Sequence, residues 1–175
     1  MQKGVVRKRT PSPVSEYGRQ LKEKQNLKRQ YNLRERQFSR YIKEAVSESL
    51  KGGNSQELFL QSLERRLDSI VFRMGMAQTR NQARQMVSHG HFMVNGRKLT
   101  VPSFKVKKGD VISVRPQSAE KTLFQNIKLG LKKYQQPSWL ELDKEKMEAK
   151  VIGIPSFQEI SPSVEVPLIF EFYSR

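Results

Sequence analysis

Residues 79–101 have the sequence TRNQARQMVSHGHFMVNGRKLTV, in which a helical pattern gives way to a strand pattern. Thr79 and Gln82 form a Thr-x-x-Gln capping box, which predicts the start of a helix. Gly90 is suited to end it, because glycine tolerates the left-handed conformation at a helix C-terminus. Strand-like runs then flank Asn95-Gly96, the strongest short signal for a hairpin. The stretch therefore predicts a short helix followed directly by a β-hairpin.

The predicted helix has one apolar side and one basic side. At 100° per residue, the apolar residues between positions 83 and 87 share one side. Arg80 and Arg84 lie one turn apart, where two guanidinium groups can bind neighbouring phosphates in a bidentate way. Arg97 and Lys98 of the hairpin lie beside them. Such a small basic surface suits folded RNA, which proteins recognise through its shape and backbone.

Regular elements are predicted on both sides of this stretch. Residues 56–74 carry apolar side chains at steps of three and four and predict one amphipathic helix, which Gly75 would end. After the hairpin, residues 104–106 and 111–114 predict a strand pair joined by a basic turn. Residues 56–116 together predict an RNA-binding module of helices packed on a small antiparallel sheet.

The N-terminal part is predicted to be helical from residue 15 to residue 48, because strong helix formers predominate there. Ser15 would cap the start, and Asn32 marks a break between two helices. Two glycines in residues 51–55 predict a linker, and a domain boundary is placed there. Residues 1–14 are basic and aperiodic, so they predict an extended basic arm or, alternatively, a simple flexible terminus.

The last third of the chain is predicted to be a closing segment. Residues 118–134 favour a helix, and residues 139–142 favour a short strand. Residues 164–173 favour a strand or an apolar terminal segment, whose proline would confine it to a sheet edge. Trp139 and Phe157 would either stack on bases or belong to the core.

The charge of the chain is strongly positive and unevenly distributed. Lys and Arg number 33 against 17 Asp and Glu, a net charge of +16, which indicates a polyanionic partner such as nucleic acid or an anionic membrane. The net charge is +10 in residues 1–43, −2 in residues 44–57, +8 in residues 58–116 and zero in residues 117–175. The two basic blocks are therefore the predicted RNA-facing parts.

Composition disfavours several other classes of protein. No apolar run approaches the roughly 20 residues of a membrane-spanning helix, and the N-terminus lacks the apolar core of a secretory signal. The absence of cysteine excludes disulfides and thiolate zinc sites. No glycine-rich phosphate loop occurs.

His89, His91 and Asp68 each allow an interpretation as a metal or catalytic site and one without such chemistry. His89 and His91 resemble a metal pair, but no carboxylate cluster supplies a third ligand, so RNA contact or stabilisation of the helix C-terminus is favoured. Asp68 has no second carboxylate beside it for acid–base chemistry. It is expected to form an ion pair with Arg65 or Arg66. Neither a metal nor a cofactor is predicted.

The candidate RNA-binding residues are basic, aromatic or polar side chains of the arm, the N-terminal helices and the module. They are Arg7, Lys8, Arg9, Tyr17, Arg19, Lys22, Lys24, Lys28, Arg29, Arg36, Arg40, Arg66, Arg73, Thr79, Arg80, Gln82, Arg84, Gln85, His89, His91, Asn95, Arg97 and Lys98.

Residues 63–114, LERRLDSIVFRMGMAQTRNQARQMVSHGHFMVNGRKLTVPSFKVKKGDVISV, resemble the alpha-L RNA-binding domain, in the version of the small-subunit ribosomal protein four family. The upstream segment SEYGRQLKEKQNLKRQYNLRERQFSRY (15–41) and the terminal EFYSR (171–175) agree with that family. The resemblance is dense over residues 15–116 and looser over 137–175.

This resemblance implies an α+β fold. A mainly helical domain would be formed by the N-terminal part and the C-terminal end, with the RNA-binding module inserted between them. It also implies a primary binder of the 5′ domain of small-subunit rRNA that nucleates assembly. By the same resemblance the protein would lie beside small-subunit protein five, near the place where mRNA enters, and would influence decoding accuracy. It would act in a cytoplasmic ribosome, with an organellar ribosome left open, and not at a membrane.

One departure and two alternatives qualify the assignment. Many bacterial members begin with a longer segment that often carries a Cys-rich zinc knuckle; this chain has no Cys, so no zinc is carried over and the arm would replace part of those contacts. An RNA-modifying enzyme, such as a pseudouridine synthase, would need a catalytic domain, and the 59 residues after position 116 are too few. A stand-alone RNA binder with the same module would not be expected to carry the flanking segments. A ribosomal protein without catalysis is therefore predicted.

Overall fold

The structure is a computed structural model and describes residues 15–160 and 162–174. The helices are α1 (Glu16–Gln30), α2 (Glu35–Ser49), α3 (Ser55–Glu64), α4 (Leu67–Arg73), α5 (Arg80–Ser88), α6 (Pro116–Ala119), α7 (Thr122–Leu131), α8 (Phe157–Ile160) and α9 (Val166–Tyr173). The strands are β1 (Phe92–Val94), β2 (Arg97–Lys98), β3 (Val111–Val114), β4 (Leu140–Asp143) and β5 (Glu148–Val151).

The first two helices form as their local signals predict. The Ser15 hydroxyl accepts a hydrogen bond from the Gly18 N–H at 3.2 Å and caps α1. Asn32 has a φ of 49°, a left-handed conformation that asparagine tolerates better than most residues. The chain turns there, and α2 begins three residues later. The predicted break at Asn32 is confirmed.

The helical core joins the N-terminal helices to the C-terminal end of the chain. Its buried apolar residues are Leu27, Tyr31, Leu33, Phe38, Tyr41, Ile42, Ala45, Phe59, Leu60, Leu63, Ile160, Val166 and Ile169. Helix α3, which starts just after the Gly52-Gly53 linker, contributes to this core. The domain limit at residue 55 stays a prediction, but the packing groups α3 with the helices that precede the linker.

The prediction of one helix over residues 56–74 is wrong. Helix α3 ends at Glu64, and Arg66 adopts an extended conformation before α4 begins at Leu67. The backbone at the break forms hydrogen bonds with a distant segment: Leu67 N–H donates to Phe104 O at 2.9 Å, and Val106 N–H donates to Arg65 O at 2.8 Å. Because these partners lie about forty residues away, local periodicity could not show the break.

The same contacts correct the predicted strand pair. Residues 104–106 do not pair with residues 111–114; Lys105 forms a bridge with Arg66 instead. Strand β3 lies between β1 and β5 in an antiparallel sheet of order β2-β1-β3-β5-β4. Strand β5 was not predicted, because only one partner of its hairpin, β4, carried a clear apolar pattern. The strand predicted at 139–142 is confirmed as β4.

The hairpin and its preceding helix form where predicted. Asn95 and Gly96 have φ values of 50° and 75°, as the two central residues of a type I′ turn require. Met93 pairs with Lys98 and Val94 with Arg97 across the turn. Gly75, with a φ of 75°, lies in the left-handed region just after α4.

The module has its own core between the sheet and helices α4, α5 and α7. Its buried residues are Leu67, Ile70, Val71, Met74, Met76, Ala83, Met86, Val87, Phe92, Val94, Val106, Ile112, Val114, Phe124, Leu131, Trp139, Leu140, Met147, Ala149 and Val151. Trp139 is 4% exposed and belongs to this core, whereas Phe157 is 41% exposed. The core alternative is therefore confirmed for Trp139 alone.

The prediction of a strand at residues 164–173 is wrong, because these residues form helix α9. Pro167 lies in the first turn, where a proline is tolerated since the N–H groups there have no intrahelical acceptor. Val166 and Ile169, three residues apart, are buried in the helical core. The α+β fold is confirmed, with a helical domain built from both ends of the chain and the module between them.

Candidate nucleic-acid interface

The end of α5 and the β1–β2 hairpin form one exposed polar surface. Gln85 and His89 of α5 and Arg97 and Lys98 of β2 are all exposed. The Lys98 side chain lies against Gly90, where an added Cβ would approach Lys98 Cε to 2.4 Å. The helix C-terminus and the hairpin are thus held side by side, and these four exposed side chains are called the module surface.

Exposed cations of α1 and α2 form two stripes. Arg19, Lys22 and Arg29 are exposed on α1, and Arg36 and Arg40 are exposed on α2. At 100° per residue, the cations of each helix fall on one side of it. These five residues are called the helical surface. The helical surface carries exposed cations of the first basic block of the sequence, and the module surface carries those of the second.

Two predicted contact residues on α1 face inward instead. Lys24 and Lys28 bind the two carboxylate oxygens of Glu35 at 2.8 and 2.9 Å. The Lys24 ammonium also lies 4.3 Å from the centre of the Phe172 ring, a favourable cation–π distance. Lys24 is buried and Lys28 is half-buried. Lys24 therefore holds α1 against α2 and α9, and Lys28 holds α1 against α2.

These contacts set the pKa of Glu35. Burial raises the pKa, but hydrogen bonds from Lys24, Tyr173 and Lys28 stabilise the carboxylate more strongly and lower it to about 2. The Tyr173 hydroxyl, which donates to Glu35 Oε1 at 2.6 Å, has its own pKa raised by burial and by this carboxylate. The cluster joins the first two helices to the C-terminal helix.

A second buried carboxylate, Glu64, connects the helical domain to the module. It is fully buried at the end of α3. Arg73 of α4 donates to both of its oxygens at 2.9 and 3.0 Å, and Arg80 of α5 donates to Oε1 at 2.8 Å. The Tyr31 hydroxyl, from the α1–α2 corner, donates to the same oxygen at 2.5 Å. We call Glu64, Arg73, Arg80 and Tyr31 the Glu64 hub.

Glu64 at the centre of the hub is ionised in the folded protein. Burial raises the pKa of Glu64, but the hydrogen bond from Arg73 and the charges of Arg80 and Arg73 outweigh burial and hold the pKa below its usual value. Burial and the negative charge of Glu64 raise the pKa of Tyr31, so the phenol stays protonated and donates. Arg80 also stacks on Tyr31, with its guanidinium carbon 4.1 Å from the ring centre.

Of the predicted phosphate-binding pair, Arg80 is corrected to an internal residue, and RNA binding by Arg84 stays a prediction. The Arg80 side chain is 9% exposed and is engaged by Glu64. Arg84 is half-buried, and its Nη1 donates to Asn32 O at 2.6 Å. Both arginines tie α5 to the α1–α2 corner. Arg73, also predicted to bind RNA, is held by Glu64 in the same way, with 24% of its side chain exposed.

Arg66 is likewise an internal residue. It is 1% exposed, and its guanidinium donates to both carboxylate oxygens of Asp68 at 3.0 and 2.7 Å and to the Tyr41 hydroxyl at 2.8 Å. The prediction that Asp68 pairs with Arg65 or Arg66 is confirmed for Arg66. The prediction that Arg66 binds RNA is corrected, because the α3–α4 break turns its side chain into the protein.

The polar residues predicted to contact RNA also divide into two groups. Thr79 and Gln82 cap the start of α5: Thr79 Oγ1 accepts from Gln82 N–H at 3.1 Å, and Gln82 Oε1 accepts from Gln78 N–H at 2.8 Å. Asn95 holds the hairpin turn through hydrogen bonds with Asp110 and the Val111 N–H. Gln85 and His89 keep their side chains exposed.

His91 lies half-buried beside the module surface. Its Nδ1 is 2.9 Å from the Ser118 hydroxyl, and its ring packs on Phe124. Burial and the positive charges of Lys121, His89 and Arg115 lower its pKa. The neutral imidazole is therefore favoured near neutral pH. The described residues contain no group of three or more His, Asp or Glu side chains that could hold a metal ion.

Of the remaining predicted residues, one is exposed on α1 and three lie outside the described residues. Tyr17 is 51% exposed on α1, and its ring centre is 5.6 Å from that of Phe172. Arg7, Lys8 and Arg9 lie outside the described residues.

Several exposed lysines lie outside both surfaces and are not among the candidate RNA-binding residues. Lys107 and Lys108 occupy the turn before β3, and Lys121, Lys132 and Lys133 surround α7. The net charge of residues 117–175 is zero, and this average concealed the lysines of that segment. No helix in the described part of the chain is both long and apolar enough to span a membrane.

Cationic stripes on a helical domain and a compact module with an exposed basic hairpin define a protein of the S4-domain class. The model of the "S4 domain" matches residues 65–112 and that of the "Ribosomal protein S4/S9 N-terminal domain" matches residues 1–64. The chain belongs to the family of small ribosomal subunit protein uS4. It is thus a bacterial-type ribosomal protein and not an enzyme.

Three relatives illustrate the similarity, each named small ribosomal subunit protein uS4. The one from Persephonella marina is 48% identical over 92% of this chain and 78% of its own length. That from Halothermothrix orenii is 47% identical over 92% and 76%, and that from Chloroflexus aurantiacus is 45% identical over 93% and 78%.

Proposed function

We propose that the chain binds small-subunit rRNA through the module surface and the helical surface acting as one rigid cationic face. The observation that carries this proposal is the Glu64 hub. It fixes the α1–α2 corner against α4 and α5 through Tyr31, Arg73 and Arg80. A rigid face can match the fixed spacing of phosphates in folded RNA, whereas two independently moving domains would lose that fit.

Each surface would act mainly through its cations. The module surface brings Arg97 and Lys98 to the phosphate backbone, and Gln85 and His89 supply hydrogen bonds beside them. Every phosphate neutralised releases counterions, which makes binding weaken steeply with salt. The internal arginines would contribute to RNA binding indirectly, by holding the two surfaces in a fixed relative position.

The family membership and the resemblance support a more specific role. We propose that the rRNA partner is the 5′ domain and that binding nucleates assembly of the subunit body. The protein would then lie beside other small-subunit proteins, including protein five, close to where mRNA enters, and would influence decoding accuracy. We place it in bacterial ribosomes of the cytoplasm.

The first experiment compares affinities for small-subunit rRNA and for an unrelated structured RNA of equal length. The salt concentration should be about 0.15 M, where exposed charges are screened to roughly physiological extent. A preference of about a hundredfold, roughly 2.7 kcal/mol, would support the proposal. Equal affinities would mean that net charge alone binds RNA, and would overturn it.

A pair of matched variants tests the surface itself. Removing two charges with Arg97→Gln and Lys98→Gln should flatten the dependence of log affinity on log salt by roughly 0.7 to 0.9 per lost phosphate contact. Lys132→Gln with Lys133→Gln removes the same charge from exposed positions outside both surfaces. If the two double variants change the slope equally, the hairpin is not part of the interface.

A further inference from the structure

A groove separates the α4–α5 connection from α7. It has a volume of about 640 Å³, within the usual range for small-molecule sites. Its lining is largely apolar and aromatic, with side chains such as Phe72, Met76, Ile127 and Tyr134. Only part of its lining falls within the segments that match family models, because the lining residues from α7 onward lie outside them.

Three amide side chains line this groove. Gln78 and Asn126 are exposed, and among the described residues their side chains have no hydrogen-bond partner. The Gln82 side chain uses its oxygen to accept from the Gln78 N–H, which leaves its NH₂ group available. Amides offer both donors and acceptors, so they can pair with the edge of a nucleobase.

One end of the groove continues into a cationic corner. A second cavity, of about 270 Å³, shares Phe72 and Gln78 with the first and is also lined by Arg29, Arg80 and Asn81. Arg80 and Asn81 are the first two residues of α5, and their backbone N–H groups have no acceptor within the helix. With the exposed Arg29 side chain opposite, this corner is suited to an anion.

The buried charges behind the corner also favour an anion. Glu64 carries one negative charge against the two positive charges of Arg73 and Arg80. Arg80 Nη1 is buried and lacks a hydrogen-bond partner in the described part of the chain. The hub therefore has an excess of one positive charge in a region of low dielectric, where its field extends further than in water.

We propose that the groove and its cationic corner together hold one unpaired nucleotide. The phosphate lies at the start of α5 beside Arg29, and the base enters the groove between apolar walls with its edge against Asn126 and Gln78. This proposal rests on the proposed function, since the nucleotide would belong to the bound rRNA. An apolar peptide would leave the amides and Arg29 unmatched, and a bare phosphate would leave the groove empty.

The first test titrates the ¹⁵N-labelled protein with three probes and follows its signals by NMR. Adenosine 5′-monophosphate should shift both the side-chain amide signals of Asn126 and Gln78 and the backbone signal of Asn81. Adenosine should shift only the signals of the groove, and inorganic phosphate only those of the corner. If millimolar adenosine 5′-monophosphate shifts neither set, the groove does not hold a nucleotide.

Two variants then identify the source of the nucleotide. Asn126→Ala and Arg29→Gln should each weaken binding of adenosine 5′-monophosphate by roughly twofold to tenfold, the range expected for one hydrogen bond or exposed charge contact. The same variants should weaken binding of small-subunit rRNA by a similar factor. Gln158→Ala removes an exposed amide from α8, away from the groove lining, and serves as the control.

The outcomes separate this inference from the proposed function. Both variants could lose mononucleotide binding while their rRNA affinity stays unchanged. This result would assign the groove to free nucleotides and overturn the claim that it holds a nucleotide of the rRNA. Selective rRNA binding that neither Asn126→Ala nor mononucleotide affects would overturn the groove and leave the proposed function standing, because Asn126 lies outside both cationic surfaces. Failure of the unaltered chain to prefer rRNA would overturn the proposed function itself.

Discussion

Replacing Glu64 by glutamine should destabilise the fold more than any exposed charge change. The substitution keeps the shape of the side chain but removes its charge and turns one oxygen into a donor. Arg73 Nε, Arg80 Nη2 and the Tyr31 hydroxyl all donate to the two oxygens of Glu64. In Glu64→Gln at least one of these donors faces the new NH₂ group, and two buried or partly buried guanidinium groups lose their counter-charge.

The expected loss in the free energy of unfolding is about 3 kcal/mol, at the lower end of the 3–5 kcal/mol typical of breaking a buried ion pair. The lower end applies because 24% of the Arg73 side chain is exposed and stays hydrated. A loss of this size is a large part of the roughly 5–15 kcal/mol that stabilises a typical domain. Urea unfolding followed by circular dichroism measures it directly.

Glu44→Gln is the matched control. Glu44 also pairs with two cations, Arg40 at 3.5 Å and Lys105 at 2.9 Å, but 43% of its side chain is exposed. Such exposed pairs contribute roughly 0–1 kcal/mol. If Glu64→Gln lowers stability no more than Glu44→Gln does, the hub is not what holds the helical domain to the module. A double variant with Arg80→Leu should lose less than the sum of the single variants, because the two side chains are coupled.

Three further predictions concern stability. Because the native pKa of Glu35 is lowered to about 2, its contribution should be present above about pH 4.5 and lost as the pH falls toward 2; in Glu35→Gln the difference in unfolding free energy between neutral and acidic urea titrations should shrink. Ile169→Ala should lower the free energy of unfolding by roughly 2–5 kcal/mol, since Ile169 is fully buried; a loss below about 1 kcal/mol would separate α9 from the helical core. Gly75→Ala should lower the melting temperature more than Gly96→Ala: both have a φ of 75°, but only at Gly75 would the added Cβ approach Tyr134, to 2.9 Å, and equal shifts would contradict this.

Signals that act within a few residues predicted the fold well. The Thr79 cap, the left-handed Gly75 and the Asn95-Gly96 turn all depend on neighbouring residues alone, and all three form as expected. The break between α3 and α4 depends on backbone partners at residues 102–106. Such partners are invisible to periodicity, which therefore joined the two helices.

Helix α9 shows a different limit. Its sequence, VPLIFEFY, is apolar on nearly every side, and a short apolar run does not distinguish a buried helix from a strand. Pro167 is compatible with an edge strand, but it fits the first turn of a helix equally well. Packing against α1 decides the outcome, and that contact joins the two ends of the chain.

The exposed cations could be predicted by region but not residue by residue, because positive charge alone does not separate a surface cation from an internal one. The angular position of each residue around its helix separates some of the internal cations from the exposed residues. Arg80 lies only about 20° from Val87 at 100° per residue, next to the buried side of α5, whereas Gln85 lies further round and is exposed. Lys24 and Lys28 similarly lie on the side of α1 opposite Arg19. The sequence of one helix does not show which carboxylate an inward cation contacts, since Glu64 and Glu35 come from other helices. A basic residue in such a chain can therefore be assigned to the RNA only when the carboxylates that the fold places near it are known. Here Glu64 and Glu35 pair with several of the predicted RNA ligands, and these ligands hold the helices together instead.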